Sequence, residues 1–378
     1  MKMKARREPP YITKINNVKQ LGDKDKTLLA DVTRQYAFRV SNYYLNLINW
    51  TDPHDPIRRL VIPERAELLE WGNLDASNED YYTVQPGLEH KYRDTTLLLI
   101  TDMCAGFCRY CFRKRLVMPE NSEAKIDILK CVQYITEHKE VNNVILSGGD
   151  PLILSTKKLE RIIKNLISIN HVRIIRIGTK FPAFYPERIL NDSDLLNLFE
   201  SVQRAGKQLY LMVHFDHPRE MTASATASIR MVRNTGTLVL NQTPIIRGIN
   251  DDIIILRELF EVLSFSGVIP YYIFQCRPTK GNKNYSLPVE DAYQIFTSAR
   301  RNGSGLSKSA RFVMSHFNGK AEVVGLDNNY IYFKYLRAVN LKDAGKLMIY
   351  KRNKKAYWLD SYITQNEPSL TQFNKCAL

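Results

Sequence analysis

Cysteine is scarce, with six residues in a chain of 378. So small a supply rules out a disulfide-stapled secreted scaffold. Long apolar runs are missing as well: no stretch approaches the ~20 residues needed to cross a bilayer. The start, MKMKARREPP, is basic but has no apolar segment behind it, so it does not read as a secretory signal. It is also too poor in serine for a transit peptide. A cytoplasmic chain with no membrane partner is the expectation. Acidic residues are short too, 39 against 54 Lys and Arg, which leaves a formal charge of +15. The excess is scattered, and no zinc-finger, RNA-recognition or helix-turn-helix pattern goes with it. A solvated basic surface is the better reading, and nucleic acid is not the expected partner.

The length suits one large α/β domain or two ordinary ones. Residues 1–93 read as a largely helical region, with apolar positions at helical spacing in TLLADVTRQYAFRVSNYYLNLI. Residues 94–335 carry short β-rich runs: TLLLIT, NVILS, VRIIRI, QLYLMV, TLVLNQ and VIPYYIF. Amphipathic stretches such as KKLERIIKNLISI separate them. This is the alternation of βαβ units on a parallel sheet, and six units fit a partial (β/α)6 barrel. Residues 336–378 read as a small extension, with KLMIYKRNKKAYWLDSY as a hairpin around a polar turn.

Unusual residues follow the strand ends. TLLLIT leads into Cys104, NVILS into Gly148, Gly149 and Asp150, QLYLMV into His214, and VIPYYIF into Arg277. In parallel βα folds that face carries the active site. Half of the cysteine lies here, as CxxxCxxC at Cys104, Cys108 and Cys111. Thiolates at this spacing on a loop suit iron–sulfur ligation. A four-cysteine zinc site would use a second CxxC, and there is none.

With Tyr110 before the third cysteine, the motif resembles the radical S-adenosylmethionine (SAM) superfamily. Seven segments in order resemble the lysine 2,3-aminomutase family more narrowly: NYYLNLINWTDPHDPIRRLVIP, EWGNLDASNED, HKYRDTTLLLITDMC, LSGGDPL, VHFDHPREMT, NQTPIIRGIND and YYIFQC. Together they span roughly residues 35–335. The resemblance implies a 4Fe-4S cluster held by Cys104, Cys108 and Cys111, whose open iron binds SAM. One electron from a donor such as ferredoxin or flavodoxin cleaves SAM to methionine and a 5′-deoxyadenosyl radical, which abstracts hydrogen. Pyridoxal phosphate (PLP) then lets an amino group migrate between the α and β carbons.

Carried over by resemblance, Gly148, Gly149 and Asp150 border the SAM amino group, with Tyr110 beside them. His214 and Gln242 line the SAM and PLP pocket. Lys320, in SHFNGKAEVVG, attaches PLP. Arg113 clamps the substrate carboxylate, as a planar guanidinium fork can.

Four departures from the family pattern bear on function. The aspartates that read lysine's distal ammonium fall at Arg277 and near Val313 or Ser315. Arginine repels an ammonium and suits a carboxylate, so an amino acid other than free lysine is expected, with acidic substrates foremost. The PLP-phosphate arginines fall at Lys91 and Thr95, with Arg93 as a candidate compensation. The glycine-rich PLP run is cut to Asn318-Gly319-Lys320. Asp252 and a lone Cys376 stand where zinc-ligand cysteines occur, so no zinc is expected, and a homo-oligomer would have to assemble without it. Cys131 and Cys276 read as packing residues.

Three other readings stay open: radical SAM chemistry without PLP, modification of a protein-bound lysine, and a basic nucleic-acid-binding protein with a structural cluster.

Overall fold

The computed structural model describes residues 11–118, 123, 126–301 and 303–366. MKMKARREPP and Cys376 lie outside the described residues. A short pair, β1 (Tyr11–Ile12) and β2 (Val40–Ser41), flanks the helix Asp23–Gln35. All other strands among the described residues form one sheet of twelve. They are β3 (Thr83–Gln85), β4 (Leu88–Tyr92), β5 (Thr95–Leu99), β6 (Asn143–Ser147), β7 (Ile174–Thr179), β8 (Gln208–Val213) and β9 (Leu238–Ile245). After them come β10 (Ile269–Gln275), β11 (Arg311–His316), β12 (Gly319–Leu326), β13 (Tyr330–Ala338) and β14 (Leu347–Lys351).

β5 to β10 are the six expected strands. They pair in parallel, and β11 joins as a seventh. Amphipathic helices return the chain between them. In Thr156–Ile167 the buried residues are Leu159, Ile162, Ile163 and Leu166, one stripe at helical spacing. N-caps fix where these helices start: Asp127, Ser155, Asp192, Thr222 and Asp252 each accept backbone N–H bonds. Asp252 is therefore occupied as a cap.

The sheet is open but curled. β4 and β11 stand seven places apart, yet Lys91 Nζ on β4 donates to the carbonyl of His316 on β11 at 2.7 Å. Tyr82 Oη donates to the carbonyl of Phe317 at 3.0 Å. Arg337 on β13 ion-pairs with Asp94. Side chains close the seam that no backbone ladder closes.

Two expectations need correction. Residues 83–92 belong to the central sheet as its antiparallel edge. The face that β4 turns inward carries Glu89 and Lys91, so no apolar alternation marks it. At the other end β13 runs across residue 335, and β14 pairs back with β13. AYWLDSY leads into the helix Asp360–Asn366. Tyr362 packs there on Phe333, with ring centroids 5.3 Å apart. Three aromatic or aliphatic anchors, Trp358, Leu359 and Tyr362, are buried better against the sheet than in a free hairpin.

A buried ion pair fastens the cysteine loop to the N-terminal region. Arg109 donates Nε to Glu67 Oε1 at 3.0 Å and Nη2 to Oε2 at 2.7 Å, with side chains 3% and 0% exposed. Tyr285 also donates to Glu67 at 3.2 Å. Removing one member of such a pair leaves a buried charge uncompensated. Glu67→Ala should cost about 3–5 kcal/mol in urea unfolding. A cost under about 1 kcal/mol would show the pair to be dispensable.

Candidate active site

The cysteine loop leaves the end of β5 and lies on the loop after β6. Gly149 N donates to the carbonyl of Thr101 and Asp150 N to that of Met103, each at 2.7 Å. A Cβ on Gly148 would stand 2.2 Å from the Thr101 oxygen, and one on Gly149 2.3 Å from the Met103 oxygen. Gly148 also has φ +118. The two glycines are thus required by the cysteine loop itself. Asp150 is turned into the fold: it accepts from Thr179 Oγ1 at 2.9 Å, Lys180 N at 2.7 Å and Leu152 N at 3.1 Å. Burial raises its carboxyl to about 6.

Cys104, Cys108, Cys111, Tyr110, Arg113, Gly148, Gly149, Asp150 and His214 line one cavity. No cysteine is paired among the described residues. Burial raises all three loop thiols, so thiolates there call for a bound cation to compensate them. Among the described residues no three His, Cys, Asp or Glu side chains group tightly enough for a single metal ion. Three thiols spread around one cavity fit a larger iron–sulfur group. Arg39 supports this fit, since its buried Nε has no hydrogen-bond partner and it neighbours Cys104.

Beneath the cysteines lies a charged network that the sequence reading did not assemble. Lys180 Nζ meets Asp216 Oδ2 at 2.7 Å and Glu220 Oε1 at 2.8 Å. Tyr110 Oη donates to Asp216 at 2.5 Å and Tyr44 Oη to Glu220 at 2.6 Å. Lys180 directly follows β7, so its signal was the strand-end position. Burial lowers His214 to about 4, and it stays neutral near pH 7.

A second group lies across Phe112. The rings and cations interleave, with Arg113 Cζ 4.9 Å and Arg277 Cζ 4.5 Å from the Phe112 centroid. The Arg277 side chain makes one hydrogen bond among the described residues, from Nη2 to the Ser315 carbonyl at 3.1 Å. Ser315 thus contributes its backbone. Ser315, Lys320 and Arg337 stand side by side across β11, β12 and β13. Gly319 permits this, because a Cβ there would meet the Arg337 carbonyl at 2.2 Å. Lys320 Nζ sits 4.0 Å from the Tyr272 centroid, and Tyr272 is the β10 partner of Gln242. Burial, then Arg176, Arg337, Arg277 and Lys91, push the Lys320 amine well below its ordinary range. A neutral amine is a nucleophile.

Arg113 is shared. Its Nε donates to Glu79 at 2.8 Å and its Nη1 to Ser147 Oγ at 2.9 Å. Glu89 lies 4.0 Å from it. The Glu89 oxygen at that distance, Oε1, is buried without a hydrogen bond among the described residues. Burial and the Glu79 charge push Glu89 up to about 8.

The chain matches the radical SAM superfamily over residues 98–256. The fold and the cysteine site therefore define a radical SAM enzyme. A protein of Aquifex aeolicus with the provisional name L-lysine 2,3-aminomutase is 51% identical over 353 residues, 93% of this chain and 94% of that protein. An L-lysine 2,3-aminomutase of Clostridium subterminale is 36% identical over 73% of this chain and 66% of that protein. The glutamate 2,3-aminomutase of Clostridioides difficile is 32% identical over 78% and 68%. The chain belongs to the lysine 2,3-aminomutase family of radical SAM enzymes. That superfamily uses a 4Fe-4S cluster and SAM, and the lysine enzymes also use PLP. No helix among the described residues is long and apolar enough to cross a membrane.

Glu89 gives a pH test. The native state holds its proton more tightly than the unfolded chain does. Stability from this group is therefore full below ~4.3 and is lost as pH rises through about 8. Glu89→Gln should flatten that part of the stability curve in urea melts from pH 5 to 9. An unchanged slope in the variant would assign it elsewhere.

Proposed function

We propose that this protein is a SAM- and PLP-dependent 2,3-aminomutase acting on an amino acid other than free lysine, with acidic amino acids as the favoured class. The observation that carries the reading is Lys320: a buried amine in the curl of the sheet, over the Tyr272 ring and between Ser315 and Arg337, with burial and neighbouring cations pushing it well below its ordinary range. PLP supplies electron delocalisation from the substrate nitrogen when bound.

Cys104, Cys108 and Cys111 ligate the cluster in this reading. The backbone at Gly148 and Gly149 borders SAM, while Asp150 and Tyr110 brace that wall from behind. His214, neutral, and Gln242 stand between the two groups. Arg113 receives the substrate α-carboxylate and shares its guanidinium with Glu79. Arg277 offers its remaining N–H donors to the side-chain carboxylate, and Ser315 orients it through its carbonyl. Lys91 serves the PLP phosphate. A small-molecule substrate and a reductant are implied by the family; ferredoxin or flavodoxin in the cytoplasm is our proposal for the donor.

The test uses anaerobically reconstituted protein. The visible absorbance of lysine-bound PLP should appear and be lost in Lys320→Ala. Dithionite and SAM should give 5′-deoxyadenosine. L-Glutamate should be turned over in preference to L-lysine, and Arg277→Ala should lower kcat/KM on it by about 100-fold, the cost of one charge-assisted contact near 3 kcal/mol. Turnover of lysine and not glutamate would overturn the substrate assignment. Deoxyadenosine without PLP uptake would overturn the role of Lys320.

A further inference from the structure

The segment before the cysteines has Lys91 and Thr95 where the family pattern carries phosphate-binding arginines, and Arg93 does not fill the gap. Arg93 is exposed, and its carbonyl is spent on His90 Nε2. The curl of the sheet brings another arginine to the same place. Arg337, from β13, reaches Thr95 Oγ1 with Nη2 at 3.1 Å. Its guanidinium lies 4.2 Å from the Tyr92 ring centroid. Arg337 is also the cross-strand partner of Lys320.

Arg176 faces the same space from β7. Its Nε donates to Asn143 Oδ1 at 3.0 Å. No carboxylate pairs with it among the described residues. Lys91 comes in from β4. With Arg277 these three cations crowd Lys320, and among the described residues the one carboxylate ion-paired with Arg337, Arg176 or Lys91 is Asp94, half exposed at the rim. Clustered cations in a partly buried space are costly unless an anion joins them. PLP carries its aldehyde and its phosphomethyl group on adjacent ring carbons. Groups that bind the phosphate must therefore be near neighbours of the lysine that binds the aldehyde.

We infer that Arg337 and Arg176, together with Lys91, form the phosphate subsite for PLP, so that strands on the far side of the seam supply the arginines that the segment before the cysteines lacks. The inference rests on PLP use as proposed above. Two guanidinium forks suit a dianionic phosphate, each able to bind two oxygens. Asp94 holds Arg337 in place and is the anion that phosphate joins or displaces.

The test is a titration of the full-length reconstituted protein with PLP and, separately, with pyridoxal, which lacks the phosphate. Arg337→Ala and Arg176→Ala should each weaken PLP binding by about 10-fold or more, as loss of a charge-assisted contact does. Pyridoxal binding should change much less than PLP binding, by no more than the altered Lys320 amine accounts for, and its retention also reports that the variants fold. Asp94→Asn, which breaks the ion pair but keeps Arg337, should bind PLP as tightly as wild type or more tightly. Arg93→Ala should change nothing. Equal losses for PLP and pyridoxal, or the same loss in Asp94→Asn, would make Arg337 a structural residue and overturn the inference. Wild-type-like PLP binding in both arginine variants would overturn it while leaving PLP use intact. Wild-type protein that takes up neither compound would overturn PLP use itself, and this subsite with it.

Discussion

A sheet curled until strands seven places apart meet is the constraint on which the site depends. Lys91 reaching the carbonyl of His316, Tyr82 reaching Phe317 and Arg337 reaching Asp94 are its fastenings. All three are side-chain contacts, so the seam closes without a backbone ladder. The cost is charge: the residues drawn inward on β4, β7, β12 and β13 include Lys91, Arg176, Lys320 and Arg337. Burial, and then that crowding, push the Lys320 amine well below its ordinary range. Closure and reactivity here are one electrostatic arrangement.

The cysteine loop is held by a different kind of force. It is short of regular structure, so its backbone groups need partners outside itself. Thr101 and Met103 find them on the loop after β6, at a distance only glycine allows. Arg109 anchors the loop through Glu67, and Tyr110 through Asp216 and Lys180. Each anchor is a buried charged group satisfied by several partners, which fixes geometry more than it adds stability. A loop that must present three thiols to one cavity needs fixed geometry.

The parallel core was legible in the sequence because β5 to β10 are apolar runs spaced by amphipathic helices. The edges were not. β4 turns Glu89 and Lys91 inward, and β11 has only a three-residue apolar run, Phe312 to Met314, so neither shows a strand period. The hairpin expected in residues 336–378 was misplaced: β14, with Tyr350, pairs back with β13, and the segment after it turns into a helix whose Tyr362 packs on Phe333. In the site, the cysteines and the strand-end residues stood out by spacing and position. Glycine conservation of space was readable, though its object was not: the glycines admit the cysteine loop. Glu79, Glu89 and Arg337 left no local signal, because each acts on a residue far away in the chain. Asp150 lines the cavity but turns its carboxylate to Thr179 and Lys180 N, and Ser315 meets Arg277 through its carbonyl.

The charge of +15 gains a second meaning from this arrangement. Part of the excess is not a solvated surface: Arg176, Arg277, Lys320 and Lys91 face one another inside the curl. Like charges brought together there oppose folding until anions arrive. A phosphate near Arg337 and two carboxylates near Arg113 and Arg277 would supply them. Ligands that bind the native state alone stabilise it by mass action, and here they would also relieve stored repulsion.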